Sequence, residues 1–508
     1  MSSKSKVVFK NYPPNQILFL PPSLEELIEA HHPVRIVNQV IDSINIDPLL
    51  KKYKSGGTSS YHPRLMLKVL VYAYLSNVYS SRKMESALKE NIHFMWLAGM
   101  SKPDHNTINR FRSERLKEVL KEVFAQVVKM LTESGHVSLQ EVYTDGTKIE
   151  ANANRYTFVW GNSIKSNKQK IENQLEELWS YAETISKEEL QDQTPTTFAP
   201  VDSKTVKETI DKIDPALEGK KIDKKVRQKL TYAKKNWPAT IDKYKEQEKI
   251  LNGRNSYSKT DTDATFMRMK EDHMRNGQLK PAYNLQISTK DQFILHYSLH
   301  QSPTDTTTLK PHYTDFKNLH QTLPQAAVAD AGYGSDENYQ ALEELHIEAY
   351  VKYNYFDKDC RSKKDEFNAS NFEYKKSKDE FYCPAGQALT FIGAGEKTTL
   401  RGFKQKVSCY KSISCKGCFL KDLCHNQNGD RVIQVNHRLR KYKEKVKKNL
   451  LSEQGIIYRK QRPADVETVF GQIKSNKGFR RFNLRGIKKV EVETGLLAIA
   501  HNLQKLAA

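Results

Sequence analysis

No stretch of this chain stays apolar for long enough to cross a membrane. The N-terminal run "MSSKSKVVFKNYPPNQ" lacks the apolar core of a signal peptide. Both absences point to a cytoplasmic protein with no membrane partner. Cysteine is scarce, six in 508 residues, which excludes a disulfide scaffold. Negative charge is also short: Lys and Arg outnumber Asp and Glu by 82 to 60, a formal net charge of +22. Such an excess favours a polyanionic partner, because each neutralised phosphate releases counterions. A nucleotide-binding loop is missing too. The segment "GAGEKTTL" looks like one, but Glu396 separates Gly395 from Lys397 and no buried strand leads into it.

Much of what is present is helical. The chain exceeds a single core, and about three or four domains of roughly 100–200 residues are expected. Residues 1–130 read as an all-helical domain. "PRLMLKVLVYAYLSNVY" opens with Pro63 at a first helical position, and Ser81 is a candidate cap for the next helix. In "KPDHNTINRFRSERLKEVLKEVF", Pro103 and Asp104 mark a helix start, with Ile108 and Phe111 facing inward. His105, Asn106, Asn109, Arg110 and Arg112 are then expected to project outward, as in a helix-turn-helix reader of double-stranded DNA.

Residues 131–160 and 256–354 read as strands of a mixed sheet with flanking helices. "AYNLQIST" and "QFILHYSLH" flank the turn "KDQ" as a hairpin, "QAAVAD" is a short buried strand and "SDENYQALEEL" a capped helix. Between them, residues 161–255 turn Lys/Glu-rich. Ile171, Leu175, Leu178, Ala182 and Ile185 recur at helical spacing, as do Val206, Ile210 and Ile213, around the loop "QDQTPTTFAPVDS". This segment reads as an inserted helical hairpin or short coiled coil. A small, loop-rich Cys-containing insertion is expected over residues 355–452, and C-terminal helices over 453–508.

Three acids stand out. Asp145 ends "QEVYTD", Asp330 ends "QAAVAD", and Glu467 lies in the helical "ADVETVFGQIK". Carboxylates at two strand ends and one facing helix suit two Mg²⁺ ions, which take hard oxygen ligands and flank an in-line phosphodiester displacement. Taken singly, each aspartate is as well explained by a turn or a cap. Phe470 and Lys474 lie near the face of Glu467, so Lys474 would reach a phosphate. Arg480, Arg481 and Arg485 follow in a glycine-bracketed turn suited to phosphate contact. Glu491 and Glu493 are rival acids without such a neighbourhood.

"YTDGTKIEANANR", "KTDTDATFMRMKEDHMRNGQLKPAYNLQI", "AVADAGYGSDENY" and "VETVFGQIKSNKGFRRFNLRG", in that order, resemble the catalytic segments of bacterial insertion-sequence DDE transposases. "PDHNTINRFR" resembles part of the N-terminal domain of the same proteins. The resemblance implies an RNase H-like core with Asp145, Asp330 and Glu467 as the metal-binding triad, Mg²⁺ or Mn²⁺ as cofactor, and no nucleotide. It implies cleavage at element ends, strand transfer into target DNA, and a homo-oligomer in the DNA complex. A nuclease that cuts without strand transfer and a non-catalytic DNA-binding relative are the alternatives. Related branches carry a helical Tyr-Arg-Glu-Lys signature. Glu467 and Lys474 fit its spacing, whereas Tyr458 does not and Arg462 falls one residue too far from Glu467. Asp261 and Asp263 are further acids of the pattern, better suited to a turn.

Five of the six cysteines fall between Cys383 and Cys424. Cys415 and Cys418 form a CxxC knuckle, which with Cys383 and Cys424 makes a candidate four-thiolate structural zinc site; Cys409 and His425 are alternative ligands.

Overall fold

The computed structural model describes residues 23–53, 60–186, 198–199, 201–269, 277–361, 365–399, 402–426 and 428–508. The signal-peptide reading of residues 1–16 and most of the 191–203 loop lie outside them. The chain divides into two compact units, Met1–Leu116 with Asn502–Ala508, and Lys117–His501.

The described residues of the first unit form helices joined by turns, with no strand among them. Its central helix, Pro63–Leu75, buries nine residues, among them Leu67, Leu70 and Tyr74, so it is wrapped rather than one-faced. The helix after it begins at Ser81 with Ser80 as the N-cap residue, one position before the expected cap. Asp104 caps His105–Arg110 as anticipated, its carboxylate accepting from the amides of Asn106 (2.8 Å) and Thr107 (3.1 Å). That helix does not run on to Phe124. A π-turn follows over Phe111–Arg115; the second unit then opens with a break in which Glu118 adopts φ 73° and a new helix over Leu120–Glu133.

The second unit is built on a curled mixed sheet of the RNase H-like kind. Its strands are β1 (Glu141–Glu150), β4 (Thr265–Arg268), β5 (Leu279–Lys290), β6 (Phe293–His300), β7 (Ala326–Ala329) and β8 (Glu348–Val351), in the order β4-β5-β1-β7-β8 with β6 also on β5. β1 runs antiparallel to β5 and parallel to β7, and β7 runs parallel to β8. β7 is small and apolar at every position because parallel strands are covered on both faces. The β5–β6 hairpin turns on Asp291 and Gln292, both at positive φ, the conformation whose twist matches the flanking strands.

Two excursions leave the sheet. Short strands β2 (Phe158–Trp160) and β3 (Ser256–Ser258) pair with each other and pin together the ends of the first. Among the described residues three helices, rather than a hairpin, lie between them: Gly161–Ile185, Ser203–Ala216 and Lys224–Leu251. Their predicted apolar positions, including Leu175, Leu178, Val206 and Ile210, pack with Trp179 and Trp237 into a separate core. The second excursion is ordered as a five-stranded antiparallel sheet, not a loop-rich segment. It comprises β9 (Glu373–Lys375), β10 (Glu380–Tyr382), β11 (Ala388–Thr398), β12 (Lys404–Ser412) and β13 (Val432–Val435). "GAGEKTTL" supplies most of the second half of β11, which excludes a phosphate loop there. Phe372, Phe381, Leu389, Tyr410 and Ile433 form its small core. Among the described residues no helix is long and apolar enough to cross a membrane.

Candidate active site

Asp145 lies in the middle of β1 rather than at its end. The strand-end expectation holds only toward β7, where the parallel ladder stops at the Thr144–Ala329 pair. Asp145 and Asp330 are the next residues on the two neighbouring strands, so the topology sets them side by side. On its other side β1 continues along β5 to the Glu150–Ala282 pair. Asp330 caps a short 3₁₀ turn, its carboxylate accepting from Gly332 N at 2.9 Å. Asp145 is 6 % exposed.

A polar network lies on the opposite face of β1, against Gly146. Gln286 on β5 donates to Asn284 Oδ1 (2.9 Å) and Asp305 Oδ1 (3.0 Å), and Asn284 donates to the same Asp305 oxygen at 2.8 Å. Tyr333 donates its phenol proton to Gln286 Oε1. Burial, and the negative charges of Asp305, Asp145 and Asp330, push that phenol well above its usual range. Asp305 is an acid of this neighbourhood that the sequence reading missed. It sits in the Thr-rich "SPTDTTTL", whose composition signals only a turn, before a helix (Leu309–His320) that was also unanticipated.

Glu467 comes from a helical stretch that crosses the sheet. Tyr458 docks this stretch edge-on against Tyr143 of β1 and Tyr350 of β8. The Asp465 carboxylate accepts from Thr289 Oγ1 (2.5 Å) and from Gln292 N (3.3 Å), tying the stretch to the β5–β6 turn. Val466, Val469 and Phe470 are buried beneath it, while Glu467 is exposed. The stretch is α-helical over Glu453–Arg462, widens into a π-turn over Pro463–Glu467, and widens again over Gln472–Asn476. Pro463 has no amide proton for the α-helical ladder, a local cause for the widening.

That turn answers the spacing problem. Five residues of an α-helix rotate by about 500°, leaving the two side chains about 140° apart. In a π-turn residue i+5 bonds back to residue i and stacks over it. The extra residue before Glu467 is thereby absorbed. The Arg462 guanidinium reaches Glu467 Oε1 at 2.8 Å and Asp145 Oδ2 at 3.1 Å. Arg462 thus links the helical acid to the strand acid, and it is only 13 % exposed.

The other acids have structural partners. Asp261 accepts from Tyr283 Oη and Gly486 N, and Asp263 accepts from Ile487 N at 2.9 Å, so both brace the start of the last helix. Glu493 accepts from Asn483 N and Leu484 N, and Glu491 pairs with Lys121 at 2.9 Å. Arg481 and Arg485 remain exposed but bond the carbonyls of Ala151 and Asn152 at the exit of β1, and Arg480 bonds Lys474 O. Lys474 is half-buried.

In the first unit Asn106, Asn109 and Arg110 are exposed as expected, and His105 is half-buried against Glu85 at 2.7 Å. Arg112 is the correction. It is 3 % exposed and donates to Tyr79 O at 2.7 Å, Tyr74 Oη and Asn109 Oδ1. Its position, four residues after the inward Ile108, already marks the buried face.

Cys383, Cys415, Cys418, Cys424 and His425 converge from two segments onto one cavity. Arg431 N donates to Cys415 Sγ (3.3 Å) and the Arg431 guanidinium to Cys424 Sγ (2.6 Å). Among the described residues no three His, Cys, Asp or Glu side chains are gathered closely enough to hold a metal ion. The carboxylates of the candidate site still fit one chemically. They are hard oxygen donors on adjacent elements, and a cation, the Arg462 guanidinium, already stands between two of them.

Two family models match the chain: Transposase DDE domain over residues 382–507, and Transposase domain (DUF772) over residues 22–114. The first covers Glu467 and most of the cysteine-bearing sheet but begins after both aspartates. No curated protein and no solved structure matches the chain. A transposase domain in the helical unit, followed by a DDE domain in a chain built on an RNase H-like sheet, supports an insertion-sequence DDE transposase.

Proposed function

We propose that this transposase cuts DNA at the ends of its element and joins the freed 3′-hydroxyl to target DNA, with Asp145, Asp330 and Glu467 holding two Mg²⁺ or Mn²⁺ ions. Its family acts on DNA and uses divalent metal. The observation that carries the reading is the placement of Asp145 and Asp330 side by side where the β1–β7 ladder ends, with Glu467 joined to Asp145 through Arg462. When bound, the ions would acidify the attacking water and balance charge on the entering and leaving oxygens. The burial of Asp145 and its ion pair with Arg462 hold the first carboxylate in place, so little reorganisation is needed as the reaction proceeds.

Lys474 and Arg480, which follow Glu467 in the sequence, would contact backbone phosphates, with Arg481 and Arg485 alongside. In the helical unit Asn106, Asn109 and Arg110 present an exposed polar edge to terminal-repeat DNA. Both element ends must be held together, so the active species is a homo-oligomer on DNA.

The test is cleavage of end DNA in Mg²⁺ by Asp145→Ala, Asp330→Ala and Glu467→Ala, with end binding measured in parallel. Cleavage is expected to vanish while binding persists. Undiminished cleavage in any one variant removes that residue from the site. Sequencing the products for end-to-target joints separates transposition from plain nuclease action.

A further inference from the structure

We infer that Arg462 is a positioning clamp which competes with the metal: it bridges the candidate ligands in the DNA-free protein and must leave them before both can hold an ion. The inference rests on the reading that Asp145 and Glu467 are metal ligands. Their separation explains why a clamp is needed. Asp145 is fixed in a buried strand, whereas the Glu467 side chain is 53 % exposed and would otherwise sample many rotamers. One planar guanidinium uses two different nitrogens to hold both carboxylates, a geometry that a lysine ammonium does not reproduce.

The guanidinium is not saturated by these bonds. Its Nε is buried and has no hydrogen-bond partner among the described residues. A buried donor left open next to a phosphodiester site has an evident acceptor in a phosphate oxygen. The clamp can therefore exchange one anionic partner for another: carboxylates in the free protein, DNA phosphate once metal takes the carboxylates. Pro463 and the π-turn keep Arg462 and Glu467 stacked, so the exchange needs side-chain rotation and no helix movement.

Equilibrium Mn²⁺ binding to the DNA-free full chain, read from the paramagnetic resonance of free Mn²⁺, tests this apart from activity. Arg462→Gln removes the competing charge but keeps a polar side chain. It is expected to bind Mn²⁺ roughly tenfold more tightly than the parent while cutting end DNA at least 100-fold more slowly. Arg462→Lys should fall between the two in Mn²⁺ affinity and covers the case in which the glutamine variant does not fold. Affinity equal to or weaker than the parent in a folded variant overturns the clamp. Asp145→Asn is the separating control. If it leaves Mn²⁺ binding unchanged, the metal-ligand reading itself fails; if it abolishes binding while Arg462→Gln has no effect, only the clamp fails.

Discussion

Gly146, directly after Asp145, has no space for a side chain. A methyl group there would overlap the Gln286 amide and lie 2.8 Å from Asp305 Oδ1. Neither neighbour is a loose end. Gln286 is fully buried, donates to Asn284 and Asp305, and accepts from Tyr333. Gly146→Ala must therefore displace it. Losing two amide bonds costs about 1 kcal/mol each, and a buried Tyr333 hydroxyl without an acceptor costs about 1–3 kcal/mol more. Replacing glycine inside a strand returns about 0.5–1 kcal/mol. The net loss is about 2–4 kcal/mol, which corresponds to roughly 30- to 1,000-fold faster amide exchange in β1 and β5. Hydrogen exchange of the native chain, resolved by peptide, measures it. The double variant Gly146→Ala/Gln286→Ala makes room for the methyl group, so its cost should be well below the sum of the single changes. Exchange within twofold of the parent for Gly146→Ala, or strict additivity in the double variant, refutes the packing argument.

Acid should weaken the second unit through its buried histidines. His312 and His296 are fully buried, and desolvation holds both below their ordinary value; His320 is lowered to about 4 by the same cause. The folded state then binds fewer protons than the unfolded state below about pH 6.5. Stability should be level above that pH and fall by about 1.4 kcal/mol per pH unit per histidine beneath it, with the His320 share exhausted near pH 4. Denaturant midpoints that hold steady from pH 7 to 5 would contradict this. In the helical unit, Arg110→Ala should weaken end-DNA binding and flatten its salt dependence by about 0.9 in log–log slope without lowering the melting temperature. Arg112→Ala should instead destabilise by about 2–4 kcal/mol, because it removes a buried charged donor from Tyr79 O and Tyr74 Oη. If Cys383, Cys415, Cys418 and Cys424 close on zinc, the purified chain carries about one zinc per molecule and Cys415→Ser/Cys418→Ser carries none. Metal-free parent protein rules that site out.

Periodicity and turn chemistry made most of the sheet legible: the β5–β6 hairpin, the buried β7 and the apolar faces of the inserted helices all follow from spacing. Failures cluster where a local rule has two outcomes. Asp145-Gly146 reads as a turn in sequence, yet the glycine is required by a residue on another strand. Arg112 looks like a surface cation until its register with Ile108 is counted. The π-turn before Glu467 breaks the 3.6-residue repeat on which spacing arguments depend, so Arg462 looked out of place. Asp305 has no sequence signal at all, because its role comes from two amides on a distant strand.

The sheet order also bears on when the protein becomes dangerous to DNA. β7 and the Glu467 helix are translated long after β1, with the whole helical excursion made in between. The helical unit includes Asn502–Ala508, so its last residues and Glu467 are made within the same short stretch. Under the proposed reading, a chain stopped short of Glu467 would lack both a metal ligand and the residues that complete that unit.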